Sequence, residues 1–306
     1  MIILIIGIGS IAQKHIKSIK KYFHDSTIIA LRSSYESKKF VDVENIYDLN
    51  EINFKIDFVI ISNPTYLHEK TILECIKLGC PLFIEKPVLS VLTNASILSK
   101  AINVSKTKTY IACNLRFHPA IKFLKQYISI LEDKINEVNI YFGSNMPSWR
   151  PGKDYKQIYS SYKSLGGGVQ LDLIHEIDYC VWLFGMPNKV CSLKRKVSNL
   201  EIDSEDFISY NLVYEKFTVN IILNYYRIDT KRTIELVCES DTIITNLIEN
   251  SIYSSVSKSL MYSESFEMSN TYDDQIQYFI NSLENKIDLM NDFDESIEIL
   301  KLALNE

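Results

Sequence analysis

Three runs of residues in this 306-residue chain have the types and spacing that chemistry needs. Gly7-Ile8-Gly9-Ser10-Ile11-Ala12 follows the apolar run Ile2 to Ile6 and opens a helical pattern. In that setting Gly7 permits a tight turn, Gly9 lets a pyrophosphate approach the backbone beside Ser10 and Ile11, and the small Ala12 allows close helix–strand packing. Glu85-Lys86-Pro87 closes a second apolar strand, Pro81 to Ile84. Proline disfavours helical geometry at the residue before it, so Lys86 stays extended and its ammonium can point into the crevice beyond the strand ends. The third run is Gly166-Gly167-Gly168-Val169-Gln170-Leu171-Asp172-Leu173-Ile174-His175-Glu176-Ile177-Asp178. Its glycines would let a helix N-terminus come close to a ligand, with Asp172, His175 and Asp178 recurring at i, i+3, i+6 along one helix stripe.

Smaller groups accompany these. The end of the second strand faces the adenine ribose, where an acid selects NAD and an arginine meets the 2′-phosphate of NADP. This chain has Leu31-Arg32-Ser33-Ser34 there and no carboxylate before Glu36, which favours NADP while leaving NAD possible. Asn63-Pro64-Thr65 and His68 follow the fourth strand at its carboxyl end, where His68 shapes a cofactor pocket rather than transferring protons, and Thr65 can cap the next helix. Trp149, Arg150 and Tyr155 read as a substrate-side loop, since a guanidinium can pair a carboxylate or phosphate through two bonds.

The elements that carry these residues divide the chain in two. Up to residue 117, continuous apolar strands alternate with helices, the pattern of a parallel sheet covered on both faces. The strands are expected at Ile2–Ile6, Thr27–Leu31, Val43–Tyr47, Asp57–Ile61, Pro81–Ile84 and Thr109–Cys113, in the order 3-2-1-4-5-6. Helices are expected at Ile11–Phe23, Tyr66–Leu78 and Val91–Ser105. This makes residues 1–117 an α/β, doubly wound Rossmann domain. Residues 118–306 read as an α+β domain on an open, mainly antiparallel sheet, with strands at Ile135–Phe142, Val190–Val197, Phe207–Tyr214, Thr218–Tyr226 and Thr233–Cys238. One helix, Val169–Phe184, interrupts it, and helices at Tyr272–Leu283 and Asp294–Leu304 end the chain, free to pack back on the first domain.

A net charge of −5 without a basic face argues against nucleic acid as partner. The opening apolar run is too short for a membrane span or a signal segment, so a cytoplasmic protein is expected. Six cysteines without a C-x-x-C pair read as small buried hydrophobes. Five histidines without an H-x-x-x-H give no support to a metal.

Taken together, these motifs resemble the Gfo/Idh/MocA family of NAD(P)-dependent sugar oxidoreductases, and the resemblance covers nearly the whole chain. It rests on the glycine fingerprint, Asn63-Pro64-Thr65 with His68, Glu85-Lys86-Pro87, Asn114-Leu115-Arg116-Phe117, and the glycine run through Asp178. The resemblance implies that Lys86 binds the reacting oxygen, that His175 is the acid–base catalyst, and that Glu85 and Arg116 belong to the cofactor side. It implies sugar, cyclic polyol or nucleotide-sugar substrates and a homodimer or homotetramer. The family's aspartate often lies four residues before the histidine, where this chain has Leu171; Asp172 lies three before, an offset that can face the same way on a helix, so Asp172 is expected at the substrate as a catalytic residue that orients the His175 imidazole. The segment Met146 to Tyr155 looks like members associated with surface-glycan and nonulosonic-acid pathways. The resulting expectation is hydride exchange between nicotinamide and a sugar-like hydroxyl or carbonyl. Two other classes use the same fold: a redox-assisted glycosidase or lyase with tightly held NAD, and a catalytically silent nucleotide-binding regulator. Retention of both Lys86 and His175 argues against the silent class.

Overall fold

The computed structural model describes residues 1–36, 40 and 43–306. The chain forms two compact units, Met1–Asn114 with Met268–Leu300, and Leu115–Glu267 with Lys301–Glu306.

In the first unit, β1 (Ile2–Ile6), β2 (Thr27–Leu31), β3 (Glu44–Ile46), β4 (Phe58–Ile61), β5 (Leu82–Glu85) and β6 (Thr109–Ala112) form a six-stranded sheet in the order β3-β2-β1-β4-β5-β6. Every pairing is parallel, as the continuous apolar strands require. Three helices connect them: α1 (Ser10–Tyr22), α2 (His68–Cys75) and α3 (Ala95–Ser105). Two are shorter than their patterns predict. The stretch before α2 is a tighter 3-10 turn at Thr65–Leu67, and α3 begins only after Asn94. Ile3, Ile5, Ala12, Ile19, Ile28, Phe58, Ile60 and Phe83 form one face of the core.

The second unit starts with α4 (Pro119–Ile130), then an eight-stranded sheet from β7 (Ile135–Asn145) onward. Two short helices, α5 (Val169–Asp172) and α6 (His175–Phe184), precede β8 (Lys189–Arg195), β9 (Phe207–Val213), β10 (Thr218–Asn224) and β11 (Tyr226–Cys238). The sheet ends with β12 (Thr242–Asn246), β13 (Ser251–Ser254) and β14 (Ser259–Ser263), in the order β14-β13-β12-β11-β7-β10-β9-β8. All of its pairings are antiparallel except β7 with β10. The single helix expected over 169–184 is two, because the backbone leaves helical geometry at Leu173 (φ −102°, ψ 29°). The chain then returns to the first unit with α7 (Asn270–Glu284), whose Ile276, Phe279 and Ile280 complete that core, and the start of α8 (Phe293–Leu304). Five cysteines are buried as expected, but Cys191 on β8 is exposed.

His118, at the start of α4, is fully buried in the second unit, with Nε2 bonded to the Leu247 carbonyl at 3.0 Å and its ring against Phe266. Burial, helped by the nearby Arg232 charge and opposed by the Leu247 bond, pushes its pKa down to about 4. Between that value and the unfolded value of about 6.5 the unfolded chain binds a proton that the native chain does not. Stability is therefore fully present above the unfolded value and is lost as pH falls, by roughly 3 kcal/mol once the native pKa is reached. Both tryptophans, Trp149 and Trp182, lie in this unit and report its unfolding. Urea titrations followed by their fluorescence should show a drop between pH 7 and pH 4.5 that shrinks in His118→Gln. An equal drop in both proteins would remove His118 as its source.

Candidate functional site

The β1–α1 turn has the local geometry its sequence requires. Gly7 adopts φ +89°, and a Cβ there would sit 2.4 Å from the Asn63 Cα, so any side chain would collide with the turn after β4. A Cβ at Gly9 would instead meet no protein atom within 4 Å, leaving open space over the backbone. The N-terminus of α1 has no side-chain cap and no acid in its first turn, so its amides, including those of Ser10, Ile11 and Ala12, suit a phosphate. These features fit a dinucleotide. Arg32 continues from β2, with Nη1 3.1 Å from Asn45 Oδ1 and its guanidinium 5.6 Å from the Phe40 ring centre, while Ser33 and Ser34 are exposed.

The turns after β4 and β5 are joined through His68. Its Nε2 lies 3.0 Å from the Asn63 carbonyl oxygen and its Nδ1 3.1 Å from that of Val88, and burial lowers its pKa. A neutral imidazole has one N–H, so at any moment it donates to one of the two carbonyls. This is the pocket-shaping place expected of it. Asn63 Nδ2 donates to Thr71 Oγ1 at 2.8 Å, tying the Asn63-Pro64-Thr65 turn to α2, and Thr65 itself does not cap it. Lys86 is half-exposed between buried Glu85 and buried Pro87, at the carboxyl end of the parallel sheet.

In the second unit Asp172 is almost wholly buried, and both its oxygens accept from tyrosines: Tyr159 at 2.8 Å and Tyr225 at 2.5 Å. The Asp172 charge, with burial, raises the Tyr159 pKa; burial first and then Asp172 raise that of Tyr225. Both phenols are therefore held protonated as donors. Trp149 packs edge-on to Tyr225, with centroids 5.0 Å apart, and donates Nε1–H to Ser144 Oγ at 2.8 Å. Arg150 lies 5.7 Å from the centre of the Tyr159 ring. Trp149, Arg150 and Asp172 thus share one network. Tyr155 is turned elsewhere, its hydroxyl accepting from the Glu201 amide at 3.3 Å.

The glycine run does different work from that expected. A Cβ on Gly167 would lie 2.5 Å from the Ser160 carbonyl oxygen and 2.6 Å from that of Tyr159, so the glycine serves close backbone packing. The first amide of α5, Val169 N–H, donates to the Glu205 carbonyl oxygen. Asp172, His175 and Asp178 also do not share one helix stripe. His175 is the half-exposed first residue of α6, while Asp178 is fully buried and accepts from Arg116 Nε and Nη2 at 2.7–3.2 Å. Glu176, also buried, accepts from Arg232 Nε at 2.6 Å. Two arginines therefore hold the helix turn that presents His175, and Arg116 supports that helix through Asp178.

Tyr159, Tyr225, Arg232 and His15 escaped the sequence reading. The chain has 19 tyrosines, and nothing distinguishes these two. His15 had a signal: it is a polar residue on the buried Ala12–Ile19 face of α1.

A phosphate-binding β–α turn on a parallel sheet, with a second unit that carries a histidine on an anchored helix, defines a Rossmann-type dinucleotide-binding protein of two units. Residues 1–112 match the oxidoreductase family with an NAD-binding Rossmann fold, and residues 133–244 match the GFO/IDH/MocA C-terminal domain, so the chain belongs to the Gfo/Idh/MocA family. Among characterised proteins it is 26% identical, over 185 residues, to the scyllo-inositol 2-dehydrogenase (NADP(+)) IolW of Bacillus subtilis strain 168; the match spans 60% of this chain and half the length of that relative. UDP-N-acetylglucosamine 3-dehydrogenase GnnA from Acidithiobacillus ferrooxidans superimposes with a TM-score of 0.80 at 17% identity, covering 100% of this chain and 96% of the other. The WlbA dehydrogenase of Chromobacterium violaceum, solved with NADH and UDP-GlcNAcA, gives 0.80 at 18% identity, covering 99% and 92%. At these identities the likeness is one of fold. No helix among the described residues is long and apolar enough to cross a membrane.

Proposed function

We propose that this protein is an NADP-preferring oxidoreductase that interconverts a hydroxyl and a carbonyl on a sugar or nucleotide-sugar-like substrate. The observation that carries the reading is the emergence of Lys86 at the carboxyl end of β5, in the same sheet whose β1–α1 turn fits a dinucleotide. Bound nicotinamide supplies the hydride acceptor or donor. The chain's own residues do the rest: His175 takes up or returns the hydroxyl proton, and Lys86 stabilises charge developing on the same oxygen. Asp172, fixed by its two tyrosines, orients the His175 imidazole in this reading. Trp149 and Arg150 contribute to recognition, Arg150 toward an anionic group, which supports a place in surface-glycan or nonulosonic-acid assembly. A cytoplasmic homodimer or homotetramer belongs to the same reading.

The test is reduction of NADP+ or NAD+, followed by absorbance, with scyllo-inositol, UDP-N-acetylglucosamine and UDP-GlcNAcA. Turnover with one of them is expected. Product formation from any of them without net cofactor reduction would replace this reading with redox-assisted catalysis.

Arg32 sets the cofactor preference in this reading. A hydrogen bond to a charged group contributes roughly 1.5–3 kcal/mol, or about 10- to 150-fold in relative affinity. Arg32→Asp should weaken NADP+ by that factor more than NAD+ in a fluorescence titration. Equal losses for both cofactors would reject the assignment.

A further inference from the structure

The strand that delivers Lys86 is held by a buried histidine to which hydride transfer assigns no task. His15 on α1 is completely buried and lies edge-on to Phe83, with centroids 4.9 Å apart, and to Tyr272 at 6.0 Å. Its Nε2 is 2.6 Å from Glu85 Oε1. The other carboxylate oxygen of Glu85 accepts the backbone N–H of Lys86 at 3.2 Å. Beyond the lysine, His68 holds Val88 as described above, so the run from Glu85 to Val88 is tied at both ends while Lys86 alone is half-exposed.

The proton on His15 can be placed. Its Nδ1 is buried and has no hydrogen-bond partner in the protein. The tautomer carrying its proton on Nε2 leaves only a lone pair at Nδ1, whereas the other tautomer would bury an unpaired N–H there, which costs more. His15 therefore donates Nε2–H to the Glu85 carboxylate, a charge-assisted bond of the short, strong kind. A lysine side chain has many rotamers to lose, so aiming its ammonium depends on a backbone that does not shift.

We propose that His15 is a positioning residue for Lys86, acting through Glu85: the relay His15 Nε2–H to Glu85 to Lys86 N–H fixes where the lysine leaves the sheet. The proposal rests on the reading in which Lys86 acts on the substrate oxygen, and its test is independent of that reading because it requires no substrate. The full chain is labelled with [ε-13C]lysine, and the Lys86 resonance is assigned by its loss in Lys86→Arg. His15→Phe keeps a ring between Phe83 and Tyr272 and removes the donor. In that variant the Lys86 resonance should move to the position of solvent-exposed lysines, and His15→Gln, whose amide can still donate to Glu85, should bring it back. A purely structural role would lower the melting temperature of His15→Phe and leave the Lys86 resonance in place; that result overturns the proposal. If His15→Phe does not fold, Glu85→Gln conserves volume while replacing one of the two acceptors, and the same shift is expected and the same absence decisive. Once a substrate is in hand, His15→Phe should lower kcat by roughly 10- to 100-fold with KM for NADP+ nearly unchanged, and should have no effect in the Lys86→Ala background. Full turnover by Lys86→Ala would instead end the assignment of Lys86 to the substrate oxygen, leaving the resonance test of His15 standing.

Discussion

Replacing His175 with alanine is expected to lower kcat by about 10²–10⁴-fold, the usual contribution of a positioned acid–base group, with NADP+ affinity largely intact. The histidine begins α6, where the chain has just left helical geometry at Leu173, and it is the half-exposed member of a turn whose next residue, Glu176, is buried. An imidazole exchanges protons near neutral pH, which suits it to take a hydroxyl proton as hydride leaves the same carbon. Lys86→Ala should cost a similar factor if, as proposed, its ammonium stabilises the developing alkoxide. If both act on one oxygen, the double variant should lose far less than the product of the single losses. Steady-state kinetics on the substrate found by cofactor reduction measures all three. Wild-type kcat in either single variant would end the assignment for that residue.

The second large effect is on stability. Arg116 and Asp178 form a buried ion pair with side chains 1% and 0% exposed, bonded through two guanidinium nitrogens. Forming such a pair returns little net energy, because desolvation offsets the attraction, but removing one partner strands a charge in a medium that cannot solvate it. Arg116→Met should therefore destabilise the second unit by about 3–5 kcal/mol, read as a fall in the urea midpoint of tryptophan fluorescence. Adding Asp178→Leu should recover much of that loss, since it removes the charges together. A loss below about 1 kcal/mol in Arg116→Met would mean that water reaches the Asp178 carboxylate. The same pair anchors α6 three residues after His175.

Much of the first unit was legible because parallel strands covered on both faces leave an unmistakable trace. Ile2–Ile6, Phe58–Ile61 and Leu82–Glu85 are apolar nearly throughout, and the strand order followed from the fingerprint. The second unit was read only in part. β12 to β14 are short and rich in serine and threonine, as in Thr-Ile-Ile-Thr-Asn and Ser-Ile-Tyr-Ser, so they lack the apolar density that marked the others. The early part of β11, Tyr226 to Arg232, carries charges on its exposed side and reads as a loop. The break between α5 and α6 has neither proline nor glycine to announce it. For the site, residue types at a turn could be recognised but their partners could not: Asp172 meets Tyr159 and Tyr225, 13 and 53 residues away, and Asp178 meets Arg116 across 62. Such pairings are set by packing in three dimensions, for which a single sequence carries no local signal.

The position of β7 has a consequence for biosynthesis. It is the earliest strand of its sheet to leave the ribosome, yet it lies between β10 and β11, and its Asn139 meets Asn220 some 81 residues later. At roughly 5–20 residues per second the nascent chain carries β7 unpaired for roughly 4–16 s. Through that interval Val138 and Ile140, both buried in the finished sheet, have no strand beside them. The β8–β9–β10 and β11–β14 meanders can each form from near neighbours, and each presents an open edge until β7 slides between them. Chaperone demand and insolubility on overexpression should therefore concentrate in this one strand, and charge substitutions on its exposed face are the place to relieve them.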